Sequence, residues 1–224
     1  MLRSIRAMQR DAFLARIRDA LGPAEERDVP RPDAPSPVTA PDPAVLADLF
    51  ARELEAVGGE VRRASSGHEV RDTIVEILRT RGVRRIVRER AALLEELDLD
   101  EALTEAGLEV LEVDSPNDLD VAFSADAGLT AADWGIAETG TLALVAAPGR
   151  PRSVSLLPPL HVAVLDACRL VPELGTLVAA LSERGTPPSA LTLVTGPSRT
   201  GDIELTLTVG VHGPGELVCV LVSG

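Results

Sequence analysis

Hydrophobic positions along the chain recur with two periods, and the period changes many times. Ile5, Met8, Phe13, Leu14, Ile17 and Leu21 share one face at helical spacing, which predicts a helix over residues 1–21. Gly22 and Pro23 stop it. Residues 22–43 hold seven prolines and read as an extended linker. An amphipathic helix on such a tether cannot bury its own face. It is expected to dock on the main body, on a second subunit or on a partner.

From residue 44 to 224 the pattern predicts one α/β domain. Helical spacing covers Pro43–Val57 and His68–Arg81, the latter with Val70, Ile74, Ile77 and Leu78 facing inward. Ala91–Ala106 reads as helical in two pieces, and Val171–Arg184 as a helix. Short apolar runs at Glu60–Arg63, Arg84–Val87, Leu108–Val113, Leu160–Leu165, Leu191–Val194 and Leu217–Val222 read as strands, with Leu191–Val194 buried and Leu217–Val222 closing the sheet. Asp126–Ala132 is predicted as a short helix and Gly201–Val209 as another. Trp134–Ala137 and Thr141–Ala146 read as two strands around the turn Glu138-Thr139-Gly140. Alternating β and α elements imply a three-layer α/β/α domain with a mainly parallel sheet, into which this turn introduces a local antiparallel hairpin.

Composition narrows the function. Aromatic residues make up 2% of the chain, so base stacking on aromatic platforms is not expected. Net charge is −13, and the acid excess lies in the second half: residues 91–224 hold 5 Arg against 20 acids. Such a surface repels nucleic acid and anionic lipid. Every basic residue is Arg, which excludes Schiff-base catalysis and a P-loop lysine and leaves arginine, backbone N–H groups and hydroxyls to hold an anion. Cys168 and Cys219 lack CxxC spacing, and two thiols cannot ligate an iron–sulfur cluster alone. His68, His161 and His212 show no metal-ligand spacing. No apolar run of membrane-spanning length occurs, so a cytoplasmic protein with no membrane or nucleic-acid partner and no metal is expected.

Two stretches break from apolar runs into small residues, hydroxyls and charges. They are TAADWGIAETGTLAL at Thr130–Leu144 and TGPSRTGDIE at Thr195–Glu204. Ligands of open α/β sheets bind where strands end, so such breaks mark candidate sites. Through AETGT at Ala137–Thr141, SLLPPLHVAV at Ser155–Val164, TGPSRTGDIE and GVHGP at Gly210–Pro214, the chain resembles the LUD-domain family, and within it the lactate-utilisation protein C (LutC-like) branch. The resemblance implies the NagB/RpiA/CoA transferase-like fold. It also implies a role beside iron–sulfur partner proteins in converting L-lactate to pyruvate. With no cofactor of its own, the chain would then bind, assemble or shape the active complex. The alternative is a stand-alone enzyme on a small anionic metabolite, as the isomerases and transferases of that fold are.

Within these motifs, Glu138 is the candidate acid–base or nucleophilic group, flanked by Thr139, Gly140 and Thr141. A tight hairpin whose glutamate caps backbone groups is the competing reading. Thr195, Gly196, Ser198, Arg199 and Thr200 form a Gly-containing loop before an expected helix, an anion cradle with Arg199 as its clamp. Asp202 and Glu204 could instead satisfy that helix and pair Arg199. Arg152 is a second candidate cation, and His161 and His212 are candidate ligand contacts or hydrogen-bonded structural residues. The expected ligand is a small carboxylate or phosphate. The strands ending at Ala137 and Val194 are expected in one sheet, pointing the same way.

Overall fold

The computed structural model describes residues 2–21, 41–113, 118–184, 187–201, 207–209 and 213–223. The chain divides into two units, Met1–Ser36 and Pro37–Gly224. The first carries helix α1 (Leu2–Leu21), over the residues whose spacing predicts it. Most of the proline-rich segment lies outside the described residues.

The second unit begins with α2 (Pro43–Ala56), where the Asp42 carboxylate accepts from the Ala44 amide at 2.9 Å and Pro43 needs no donor partner. It continues through β1 (Glu60–Ala64), α3 (Gly67–Thr80), β2 (Arg85–Arg88), α4 (Ala92–Glu96), α5 (Leu99–Glu105), β3 (Glu109–Leu111), α6 (Leu119–Ser124) and β4 (Ala127–Ala131). Then come β5 (Trp134–Ile136), β6 (Thr141–Val145), α7 (Ser153–Leu156), β7 (Leu160–Asp166), β8 (Leu170–Val171) and α8 (Leu174–Glu183). The last elements are β9 (Leu191–Val194), β10 (Arg199–Gly201), β11 (Leu207–Val209) and β12 (Glu216–Val222). No helix among the described residues is long and apolar enough to cross a membrane.

Six strands form a wholly parallel sheet in the order β1-β12-β7-β4-β2-β3. Its inner strands are apolar on both faces, as burial on both sides requires. Along β7, Val162 and Val164 join the core beneath α3, α4 and α5, while Ala163 and Leu165 join the core with Phe50 and Leu54 of α2 and Leu142 of β6. The alternation repeats in β12, where Val218 and Val220 face one way and Leu217, Cys219 and Leu221 the other. The α/β class with a mainly parallel sheet is the one that the sequence pattern predicts.

The antiparallel hairpin is not an insertion in that sheet. β5 and β6 belong to a second sheet of order β8-β5-β6-β9, which covers the main sheet beside α2 and carries α8 on its far side through Trp134, Ile136, Ala143 and Leu177. β9 is the edge of this second sheet, with Leu193 43% exposed, rather than the buried strand expected. β12 does not close the main sheet but lies between β1 and β7.

Two helix expectations fail. Asp126–Ala132 contains β4, a fully buried interior strand, and the helix α6 precedes it. Its small residues carry little strand propensity, but Gly128 is needed because a Cβ there would overlap the Val154 carbonyl packed on the strand. Gly201–Val209 is not helical where it is described: β10 pairs antiparallel with β11, Gly201 facing Leu207, and residues 202–206 lie outside the described residues. The run Ile203, Leu205, Leu207, Val209 alternates with period two, the spacing of a strand rather than of a helix.

One ionic cluster joins the two sheets where the chain passes between them. Ala132 donates to Val164 O of the main sheet at 2.8 Å, and Asp133 already donates to Ala143 O of the second at 2.9 Å. Around this switch the Arg150 guanidinium donates to Glu89 Oε1 (2.9 Å), Asp133 Oδ1 (2.8 Å) and Ala131 O (2.5 Å). Glu89 Oε1 also accepts from the Ala131 amide at 2.7 Å, and Asp133 Oδ2 from the Val145 amide at 2.7 Å. Burial pushes the Glu89 carboxyl above its ordinary value of 4.5, against the pull of Arg150.

Arg150→Leu leaves a buried carboxylate without its cation, and a loss of about 3–5 kcal/mol in unfolding free energy is expected at neutral pH. Because the folded Glu89 holds its proton to higher pH than the unfolded chain does, its contribution is full below the ordinary carboxylate value and is lost as pH rises through the folded one. Denaturant titrations of Arg150→Leu should therefore show a deficit that shrinks on acidification. A pH-independent deficit would mean that Glu89 is not the group left unpaired.

Candidate functional site

The turn between β5 and β6 is built against α2. Residues Ala137–Thr139 form one 3-10 turn, and Gly140 follows at φ 60°, the left-handed region open to glycine. A Cβ on Gly140 would overlap the backbone of Leu54. Glu138 is exposed; its amide donates to Pro172 O at 3.1 Å and its Oε1 accepts from the Leu174 amide at 3.3 Å, at the start of α8. The hydroxyl of Thr141 lies 2.7 Å from that of Thr139 and 2.7 Å from that of Thr195. The two motif loops are thus joined directly. β5 and β9 both run antiparallel to β6, so the strands ending at Ala137 and Val194 do point the same way, with β6 between them. The hydroxyls and the carboxylate of AETGT bond to the protein itself.

A space able to hold a small ligand lies against β9. A cavity of about 190 Å³ sits between the second sheet and the amino-terminal ends of β7 and β12. His161, Thr195, Gly196 and Ser198 line it, together with Ser155, Thr192, Gly213 and Pro214. Four of the expected site residues therefore meet around one space, and three of the four quoted motifs contribute to its wall. Ser155, Gly213 and Pro214 were within those motifs but unmarked; Thr192 carries no sequence signal beyond its place in an apolar strand.

His161 is 1% exposed and faces the second sheet, as Ala163 and Leu165 do two and four residues on. Thr130 shares that face of β4, and its hydroxyl lies 2.8 Å from His161 Nε2. Nδ1 is buried with no partner among the described residues. Burial lowers the His161 pKa from 6.5 to about 4, so the ring is neutral at pH 7. It offers one donor and one acceptor, and no charge.

The remaining candidates stand elsewhere. Arg152 is exposed and borders a small adjoining recess that shares the Ser155 and Thr192 walls. Arg199 is exposed, begins β10 and packs over Gly58 rather than lining the cavity. Thr200 is described only as backbone of β10, opposite Thr208. Asp202, Glu204 and His212 lie outside the described residues. Among the described residues no group of three or more His, Cys, Asp and Glu is arranged to hold a metal ion.

A parallel α/β sheet carrying a second sheet, with AETGT and TGPS interlocked and the His161 strand facing them, defines a class. The chain belongs to the LUD-domain family: the family profile described as LUD domain matches residues 47–222. Along nearly its whole length the chain is similar to the lactate utilization protein C of Shouchella clausii (strain KSM-K16), with 30% identity over 227 aligned positions that cover 96% of this chain and 97% of that protein. A shorter stretch of 99 residues is 43% identical to an uncharacterized protein of Neisseria meningitidis serogroup B and spans 43% of this chain and 42% of that one. A crystal structure of a DUF162 family protein from Deinococcus radiodurans shares the fold, with a TM-score of 0.58 and 24% identity over 81% of this chain and 99% of that one.

Two outcomes follow from this geometry. Gly140→Ala must adopt a positive φ and displace α2, so a loss of about 2–4 kcal/mol by chemical denaturation is expected. If stability were unchanged, the turn would not pack on Leu54 as described. The second concerns acid. The folded His161 binds its proton only near pH 4 while the unfolded ring binds it near 6.5, so its contribution is present above 6.5 and is lost as pH falls through about 4. The full effect is on the order of 3 kcal/mol. Unfolding curves between pH 7 and 4 should show this slope in the parent and lose it in His161→Gln; an equal slope in both would assign it to other groups.

Proposed function

We propose that this chain serves L-lactate utilisation as a binding and assembly component, holding a small carboxylate such as lactate or pyruvate in the His161 cavity while redox centres reside on iron–sulfur partner proteins. The full-length similarity to a protein named lactate utilization protein C supports the pathway. The observation that carries the ligand is the cavity. Its volume of about 190 Å³ leaves room for a three-carbon acid and little more. Its wall is largely apolar, with Leu156, Val194 and Leu217, and Ser155, Thr192, Thr195, Ser198 and a neutral imidazole are the polar groups it offers to the hydroxyl or keto group and the carboxyl oxygens of such an acid. Arg152, beyond Ser155 and Thr192, supplies a cation next to it. Two cysteines in the whole chain are too few for a cluster of its own, which is why the electrons are assigned to partners.

Calorimetric titration of the full chain with pyruvate, L-lactate and inorganic phosphate tests the ligand. One of the two carboxylates is expected to bind, and Ser198→Phe, which fills the cavity from its edge, to weaken it at least tenfold with little change in melting. A parent that binds neither acid, or a Ser198→Phe variant that binds as the parent does, would sink the cavity assignment. The assembly role expects lactate-dependent dye reduction only when cysteine-rich partners are added; reduction by the pure chain, or stoichiometric iron within it, would overturn that part.

A further inference from the structure

The carboxyl ends of the parallel strands hold a different space. A cleft of about 530 Å³ opens where β4 ends at Ala131 and β7 ends at Asp166, next to the segment after β2. This is the end of an open parallel sheet at which ligands are bound. Arg90, Arg150, Arg169 and Arg184 line it. Residues 91–224 contain only five arginines, and three of them meet here, although the elements that carry them are separated in sequence.

The charges in the cleft are not mutually cancelled. Glu96, Asp133 and Asp166 also line it. Asp133 is committed to Arg150 and to the Val145 amide, and Asp166 accepts from the Cys168 amide at 2.8 Å. Among the described residues the Arg90 side chain pairs only with Glu112, at 3.5 Å and with both exposed. Arg184 lies over the Trp134 ring at 4.4 Å, and neither it nor Arg169 has a carboxylate partner among the described residues. Arg150 Nε is buried with no acceptor among the described residues. The lining holds four arginines against Glu96, Asp133 and Asp166, an excess of cations in a chain of net charge −13.

We infer that this cleft is a second binding site, separate from the His161 cavity, for a small anion carrying two or more negative charges. A three-carbon monoacid would occupy a small part of it and meet one arginine. A diphosphate, a phosphate ester or a polycarboxylate spans several, and guanidinium forks suit either oxyanion. The trio of Arg90, Arg169 and Arg184 supplies the recognition, and Arg150, anchored by Glu89 and Asp133, forms the floor.

Pyrophosphate and citrate serve as probes by calorimetry on the full chain at low ionic strength, with Arg169→Ala, Arg184→Ala, the double variant and Ser198→Phe. Both arginines are exposed, and unchanged melting checks that the variants fold. At least one probe is expected to bind the parent and to weaken as salt is added. Affinity should fall about tenfold in each single variant and about a hundredfold in the double, while Ser198→Phe leaves it unchanged. Preference for pyrophosphate makes the natural ligand phosphorylated; preference for citrate makes it a polycarboxylate. The proposal is overturned if neither probe binds the parent, if the double variant binds undiminished, or if Ser198→Phe abolishes binding. Pyruvate affinity in the double variant reports separately on the His161 cavity.

Discussion

The architecture depends on the Arg150 guanidinium. The chain leaves one sheet and enters another within the two residues between β4 and β5, and consecutive amides, Ala132 and Asp133, bond to different sheets. So abrupt a change leaves Ala131 N, Ala131 O and Val145 N without ladder partners, in an interior where an unpaired polar group costs about 1–3 kcal/mol. Glu89, Asp133 and Arg150 satisfy all three. A carboxylate alone could serve the two amides but would be buried uncompensated. A cation alone could serve only the carbonyl. The cluster is thus a requirement of the topology, and its charged members are there because three backbone groups of both polarities meet at one point.

The position of the second sheet then decides where space is left. Where α2 and β6 lie on the main sheet, Phe50, Leu54 and Leu142 fill the gap completely. Toward the starts of β7 and β12, the face turns polar at His161 and Thr130 and the cover is an edge strand, β9. An edge strand with partly exposed residues cannot close over a polar pair as a central one does. A cavity there follows from the order of strands, and the buried, uncharged state of His161 follows from the same cover.

Much of this was legible in the chain. The helices α2 and α3 and the strands β7 and β12 follow from apolar spacing, because each carries a run of buried residues, and α2 and α3 each open on a side-chain cap. β4 was not, since Ala127-Gly128-Leu129-Thr130-Ala131 owes its conformation to neighbours on both sides rather than to its own propensity. The motif loops could be marked, and Thr141 and Thr195 do meet, but the sequence could not tell which of their polar atoms were already used. Glu138 looked reactive by residue type and acts on the start of α8. The arginine count pointed to an anion yet favoured Arg152 and Arg199, because proximity of Arg90, Arg150, Arg169 and Arg184 arises only when three strand ends are brought side by side.

Charge and size separate what the two ends of the same strands can do. Thr130 and Ala131 are adjacent in β4, yet one bonds His161 at the cavity and the other bonds Arg150 at the cleft. At the His161 end the imidazole is neutral and the space is about 190 Å³, so hydroxyls and one ring nitrogen are its polar wall, with the exposed Arg152 in an adjoining recess. At the other end the space is about 530 Å³ and four arginines, which cannot lose their charge at any physiological pH, line it beside three acids. A small monoacid there would leave most of that charge in water. Under the two proposed assignments, the parallel strands between the two spaces would sort ligands by charge number without any moving part, and the absence of lysine leaves arginine as the only side chain able to build the cationic end.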